Sequence, residues 1–247
     1  MTELLSPVPV AAAARGAVAG LGAARVVFAH FSVMVKGSSQ LFVAGPPIVR
    51  RGIGQDVDKE TLGGSAIHTR LSGAVDNEVD REDEAFAQIR RFLSYLPASV
   101  YELPPVAECD DPPDRREEEL LQIVPRSRRQ PHDLRRILAL VLDRESFFEI
   151  QPRFGRSLVT GLARLAGRPV GVMGNDPRWL GGAIDGAASD KMVRFVDLCD
   201  TFHLPVVNFV DNPGFLIGIE AERRGTIRHG VRALTAVYQA TVPWCSI

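Results

Sequence analysis

Pro205-Val206-Val207-Asn208-Phe209-Val210 runs directly into Asp211-Asn212-Pro213-Gly214-Phe215, and Gly225-Thr226-Ile227-Arg228-His229-Gly230 then opens a helical pattern. The apolar, β-branched run closed by a Pro-Gly turn reads as a buried strand of an α/β domain. A strand that turns into a helix leaves unpaired backbone N–H groups at the helix start, where an anion or a developing anion is best held. Standing alone, the segment reads first as an ordinary strand–turn–helix connection of an α/β domain. Behind it, Ile227, Val231, Leu234 and Tyr238 recur at helical spacing and are expected to form a buried face. Val242-Pro243-Trp244-Cys245-Ser246-Ile247 begins a further strand.

Upstream, Asp133 to Leu142 reads as a helix. Ser157 to Leu165 and Arg168 to Asn175 read as a hairpin closed by Ala166-Gly167, since Gly accepts positive φ. Ser189 is the expected cap of the next helix, with Met192, Phe195, Val196, Cys199 and Phe202 as its apolar stripe. Cys199 therefore reads as core, not nucleophile. In the first third, small residues from Val8 to Gly22 suggest a strand followed by a helix start. Short buried strands flank Lys36-Gly37-Ser38-Ser39, and Pro46-Pro47 can open a helix. Asp80 to Leu96 reads as an amphipathic helix with Phe86, Ile89, Leu93 and Leu96 inward.

Residues 97–131 hold seven of the seventeen prolines and read as a linker, with a short helix within Glu117 to Val124. The expected organisation is a first domain at 1–96, this linker, and a second domain at 132–247. The basic cluster Arg126, Arg128 and Arg129 lacks interleaved aromatics and fits a solvated or subunit-contact surface better than a nucleic-acid site.

With 29 basic and 30 acidic side chains the net charge is −1, which gives no broad field for nucleic acid or an anionic membrane. The three cysteines are scattered, so neither a zinc site nor a disulfide framework is suggested, and no bound metal is expected. Without a membrane-spanning run or a secretory signal, a cytoplasmic location and no membrane partner are the expectation. The five histidines are separated in sequence and read as structural.

Taken in order, Met34-Val35-Lys36-Gly37-Ser38-Ser39, Leu62-Gly63-Gly64-Ser65, Gly167 to Asn175, Asp185 to Val196 and the 205–232 stretch resemble the carboxyltransferase (β) subunit of biotin-dependent acyl-CoA carboxylases, such as the propionyl-CoA carboxylase β chain. The resemblance runs from about Gly16 to Ile247. It implies a crotonase-like (ClpP/crotonase) α/β spiral of ββα units in two partial domains, although periodicity alone equally allows a doubly wound sheet.

It also implies carboxyl transfer from N-carboxybiotin, on a biotin carboxyl carrier protein charged by a biotin carboxylase subunit, to the α-carbon of an acyl-CoA. Backbone N–H groups would stabilise the enolate. By the same resemblance the first oxyanion hole falls at Gly20, Leu21 and Gly22, where Leu21 replaces a more usual glycine. The alternative for these glycines is close helix–strand packing. Asn212, Pro213, Gly214 and Phe215 fall on the biotin side, Asn212 replacing a more usual small apolar residue. The family's N-terminal CoA-binding segment and the Gly-rich turn of its second oxyanion hole have no counterpart here. The expectation is therefore the central portion of a carboxyltransferase that self-associates, as the family does from dimer to hexamer, without turnover of its own. A biotin-dependent decarboxylase subunit and a non-catalytic assembly module are the competing readings.

Overall fold

A computed structural model describes residues 2–112, 114–127 and 130–247. The chain divides after Ser94 into two compact units. The first begins with α1 (Thr2–Leu5), β1 (Ala11–Ala14), β2 (Ala17–Ala19) and α2 (Leu21–Phe28). Next come β3 (Phe31–Val35), β4 (Gln40–Phe42), α3 (Pro46–Ile53) and α4 (Lys59–Gly63), then β5 (Asn77–Val79) and α5 (Glu82–Leu93).

β1, β3 and β5 form a parallel sheet in that order, with Ala13 opposite Val33 and Val33 opposite Asn77; β2 and β4 pair separately, also in parallel. Parallel strands are covered on both faces, which is why β3 is apolar or small throughout and wholly buried, as expected from Val33-Met34-Val35. Ala14, Ala23, Val26, Met34, Leu41 and Val75 make the core between the strands and α2. Gly63 approaches so closely that a Cβ there would lie 1.9 Å from the Leu41 carbonyl oxygen.

The α5 helix forms where expected, with Leu96 just beyond it buried and Ile89 half-buried as expected, but the other two expected inward residues turn out. Ala85 and Phe92 are buried, with Phe92 stacked on Phe31 at 4.9 Å, while Phe86 and Leu93 are exposed. Two overlapping apolar stripes exist on this helix, and the sheet beneath it selects one.

In the second unit, residues 97–131 are extended apart from turns and a 3-10 turn at Glu118–Leu121; Pro113, Arg128 and Arg129 lie outside the described residues. The segment is tied down within this unit. Ala107 N–H donates to the Gly167 carbonyl, and Arg115 pairs with Asp111 and Glu117 and donates to the Leu142 carbonyl.

The elements that follow are α6 (Leu134–Val141), β6 (Phe148–Ile150), β7 (Leu158–Leu165), β8 (Arg168–Asn175) and α7 (Gly186–Thr201). They continue as β9 (Val206–Phe209), α8 (Ile219–Arg223), α9 (Thr226–Gln239) and β10 (Trp244–Ser246). The sheet order is β10-β9-β8-β7-β6, antiparallel from β6 to β8 and parallel from β8 to β10. The β7–β8 hairpin closes as expected through Ala166 and Gly167, both at positive φ (50° and 75°).

Two local expectations are corrected. The cap of α7 is Asp185, whose carboxylate accepts the Ala188 N–H at 2.8 Å. Ser189 lies in the first turn instead, and its hydroxyl donates back to the Asp185 carbonyl. In α9, Ile227, Val231, Leu234 and Tyr238 are exposed, and the inward residues are Thr226, Gly230 and Ala233. Small residues bring the helix close to its neighbours: a Cβ on Gly230 would lie 2.7 Å from the Phe215 ring. An apolar stripe shows which face needs cover, not that the same chain supplies it.

Candidate functional site

In the first unit, β2 delivers the chain to α2 through Gly20, which caps the helix at φ 58° and ψ −128°, a combination that L side chains rarely adopt. Gly20 N–H is occupied, donating to the Phe42 carbonyl at 3.1 Å, while the Gly20 carbonyl accepts from Ala24 N–H at 3.0 Å. The N–H groups of Leu21 and Gly22 have no acceptor among the described residues. They stand at the positive end of α2, with the Leu21 side chain exposed. Gly22 also meets the packing explanation, since a Cβ would fall 2.8 Å from Val18 Cγ1.

The second unit brings Asn212 to Phe215 together with residues that the sequence did not single out. Asn175, at the end of β8, is buried. Its Oδ1 accepts from Asp211 N–H at 3.3 Å and from Asn212 Nδ2 at 3.1 Å, and its Nδ2 donates to the Gly182 carbonyl at 3.2 Å. Asn212 Oδ1 in turn accepts Gly214 N–H at 2.9 Å. The far side of the loop is held by Ile184, whose N–H donates to the Gly214 carbonyl and whose carbonyl accepts Leu216 N–H.

Asn175, Asn212 and Phe215 line a cleft of about 240 Å³ that Leu158, Met173 and Trp244 make largely apolar. Asn208 and Ser246, register partners across β9 and β10 beside Met173 of β8, add polar groups to it. The signal for Asn175 was present in the sequence: a polar Asn-Asp pair ends an otherwise apolar strand.

Beside Asn175, Asp176 is fully buried and binds Arg135 (2.7 Å) and Arg178 (2.9 Å). Burial pushes its carboxyl up, but the hydrogen bonds from Arg178 and Arg135 outweigh this and hold it below the usual carboxylate range. Cys199 is wholly buried, and its thiol is pushed far up by desolvation and by the nearby Asp200. Each histidine is tied to local structure. His30 Nδ1 accepts Val10 N–H, His68 and His203 donate to the carbonyls of Leu41 and Val100, His132 lies 3.7 Å from Asp211, and His229 lies 2.7 Å from Asp190.

No helix among the described residues is long and apolar enough to cross a membrane.

Among known proteins, the chain is 40% identical over 246 residues to the propionyl-CoA carboxylase carboxyltransferase subunit of Haloferax mediterranei, covering 100% of this chain and 48% of that one. It is 39% identical over 213 residues to the methylmalonyl-CoA decarboxylase subunit alpha of Veillonella parvula, covering 86% of this chain and 42% of that protein. The transcarboxylase 12S crystal structure, a hexamer assembly with methylmalonyl-coenzyme A and methylmalonic acid bound, superposes with a TM-score of 0.94 at 34% identity, over 99% of this chain and 47% of that one. The fold is crotonase-like, as expected. The chain spans about half the length of the curated relatives it matches. Residues 2–247 match the carboxyl transferase domain, and the chain belongs to that family.

Proposed function

We propose that this chain contributes to an acyl-CoA carboxyltransferase, which moves a carboxyl group from N-carboxybiotin to the α-carbon of an acyl-CoA. The observation that carries this reading is the pair of acceptor-free N–H groups, Leu21 and Gly22, behind the glycine cap of α2. A thioester oxygen placed there gains hydrogen-bond strength as it becomes an enolate, so the donors bind the transition state better than the ground state. Loss of one such donor costs roughly 10²–10³ in rate.

The loop from Asn212 to Phe215 is proposed to meet biotin borne by a carrier protein and loaded by a biotin carboxylase subunit. When bound, that group supplies the activated carboxyl. The residues suit a ureido ring. The N–H groups of Asn212 and Phe215 have no acceptor among the described residues, so they can serve a carbonyl oxygen, and the adjoining cleft is largely apolar. Domain boundaries at 1–96, 97–131 and 132–247 belong to the same proposal, with the proline-rich segment as a strap docked on the second unit. So does assembly into a homo-oligomer from dimer to hexamer, supported by the exposed α9 stripe.

The test supplies the chain with carboxylated carrier protein and propionyl-CoA and follows radiolabelled carboxyl. Label fixed in proportion to the chain and abolished by avidin supports the proposal. Propionyl-CoA binding without transfer restricts the chain to holding the acyl-CoA, and neither binding nor transfer sinks it. The identity to a decarboxylase subunit supports a second reading, the same transfer run in reverse, which label loss from methylmalonyl-CoA would reveal.

A further inference from the structure

We infer that Asn175 and Asn212 are positioning residues that together decide which backbone donors of the 211–216 loop are left for a ligand. This rests on the reading of that loop as the biotin side. Of the five non-proline N–H groups in this loop, Leu216 is bonded to the Ile184 carbonyl, and the two carboxamides sort the other four. Asp211 N–H is taken by Asn175 Oδ1, and Gly214 N–H by Asn212 Oδ1. Asn212 and Phe215 N–H remain without an acceptor among the described residues.

The arrangement is held from behind. Asn175 Nδ2 donates to the Gly182 carbonyl, so its amide orientation is fixed and Oδ1 must face the loop. Gly182 lies so close beneath that a Cβ would fall 2.4 Å from the Asp211 carbonyl oxygen, which leaves the loop little room to move inward. The paired Asn212 side chain is itself held by Asn175 at 3.1 Å. On the other side Ile184 bonds Gly214 and Leu216 and skips Phe215, so in this parallel bridge Phe215 N–H points away from Ile184. Gly214, at φ 113°, supplies the backbone conformation this needs.

A small apolar side chain at position 212 would release Gly214 N–H and leave Asn175 Oδ1 with Asp211 N–H alone, changing both the number and the position of the open donors. The loop as built leaves the Asn212 and Phe215 N–H groups open, which suits an acceptor oxygen such as that of a ureido carbonyl.

The experiment uses the full chain and reads amide hydrogen exchange by NMR at residues 211, 212, 214 and 215, with biotin methyl ester as the probe. Asp211 and Gly214 should exchange at least tenfold more slowly than Asn212 and Phe215. Asn212→Val should abolish the protection of Gly214, whereas Asn212→Asp, which keeps the acceptor for Gly214, should retain it. Asn175→Ala should release Asp211. Biotin methyl ester should shift the Asn212 and Phe215 amides most, and Asn212→Val should weaken its binding at least fivefold without altering propionyl-CoA affinity. Uniform exchange across the four amides, or Gly214 protection that survives Asn212→Val, overturns the inference whatever biotin does. The expected exchange pattern without a biotin-induced shift upholds the positioning role and overturns the biotin reading of the loop alone.

Discussion

The ammonium nitrogen of Lys191 ends 2.6 Å from the carbonyl oxygen of Leu158. It also donates to the carbonyls of Gln151 (2.8 Å) and Phe154 (3.1 Å), so one fully buried side chain on α7 gathers the loop that leads into β7. Replacing Lys191 by Met keeps the aliphatic stem but takes this donor from the Phe154 and Leu158 carbonyls, while the Gln151 carbonyl keeps the Phe154 N–H. Each unmet group costs about 1–3 kcal/mol, partly offset by the desolvation that the lysine no longer suffers. Urea denaturation of Lys191→Met should show a loss of about 2–4 kcal/mol. A loss below roughly 0.5 kcal/mol, the range of an ordinary surface change, would show that the carbonyls find other partners.

Asp176 sets an acid limit on the second unit. Its carboxyl is held below its unfolded value, so its contribution is fully present above about pH 4 and lost as pH falls through the lower folded pKa. The stability difference between the wild type and Asp176→Asn should therefore be constant from pH 7 to pH 5 and shrink in more acid solution. A difference that grows on acidification would reverse the assigned direction.

Gly20 and Leu21 separate backbone from side-chain roles. Gly20→Ala forces an L residue to φ 58° and ψ −128°, a strain of about 1–3 kcal/mol that should move the start of α2 and weaken propionyl-CoA binding. Leu21→Ala removes an exposed side chain and should change stability by less than about 0.5 kcal/mol, with propionyl-CoA affinity kept within a factor of two. Equal effects of the two variants on binding would argue against a backbone hole.

The outward stripe of α9 predicts self-association. Ile227 is 72% exposed and Tyr238 85%, and with Val231 and Leu234 they make one apolar stripe along the helix. Sedimentation of the wild type should show oligomers, and Val231→Glu should shift the distribution toward monomer with the far-UV spectrum unchanged. A monodisperse monomer for both chains would sink the prediction.

Thiol labelling tests the burial of α7. Cys245 is exposed and should react first, Cys109 more slowly, and Cys199 only on unfolding. Early labelling of Cys199 would mean that α7 opens locally.

Local chemistry settled much of this in the sequence. The hairpin was legible at Ala166-Gly167 because Gly accepts positive φ at a turn, whereas the positive φ of Ala166 was the fold's own choice. The α7 stripe was legible because Met192, Phe195, Val196, Cys199 and Phe202 admit a single helical face. The α5 face was not, since Phe86 and Phe92 belong to different stripes of one helix and only contact with Phe31 chose between them. Asp185 displaced Ser189 as the cap because both residue types suit the position and the backbone decides where the first turn begins.

For the candidate site, the family resemblance nominated Gly20 to Gly22 and Asn212 to Phe215, and turn chemistry marked both as chain reversals. It could not show that Phe42, twenty-two residues after Gly20, takes the Gly20 amide, nor that Asn175 reaches the loop thirty-seven residues downstream. Strand pairing and loop approach across such separations depend on register, and register follows from packing of whole faces, not from neighbouring residues. The sequence by itself therefore determined the family and many of the elements, and it nominated the two candidate segments. The tertiary structure alone decided which backbone donors remain open and which apolar stripes turn outward, because both depend on groups distant in the chain that only folding brings within hydrogen-bond or van der Waals reach.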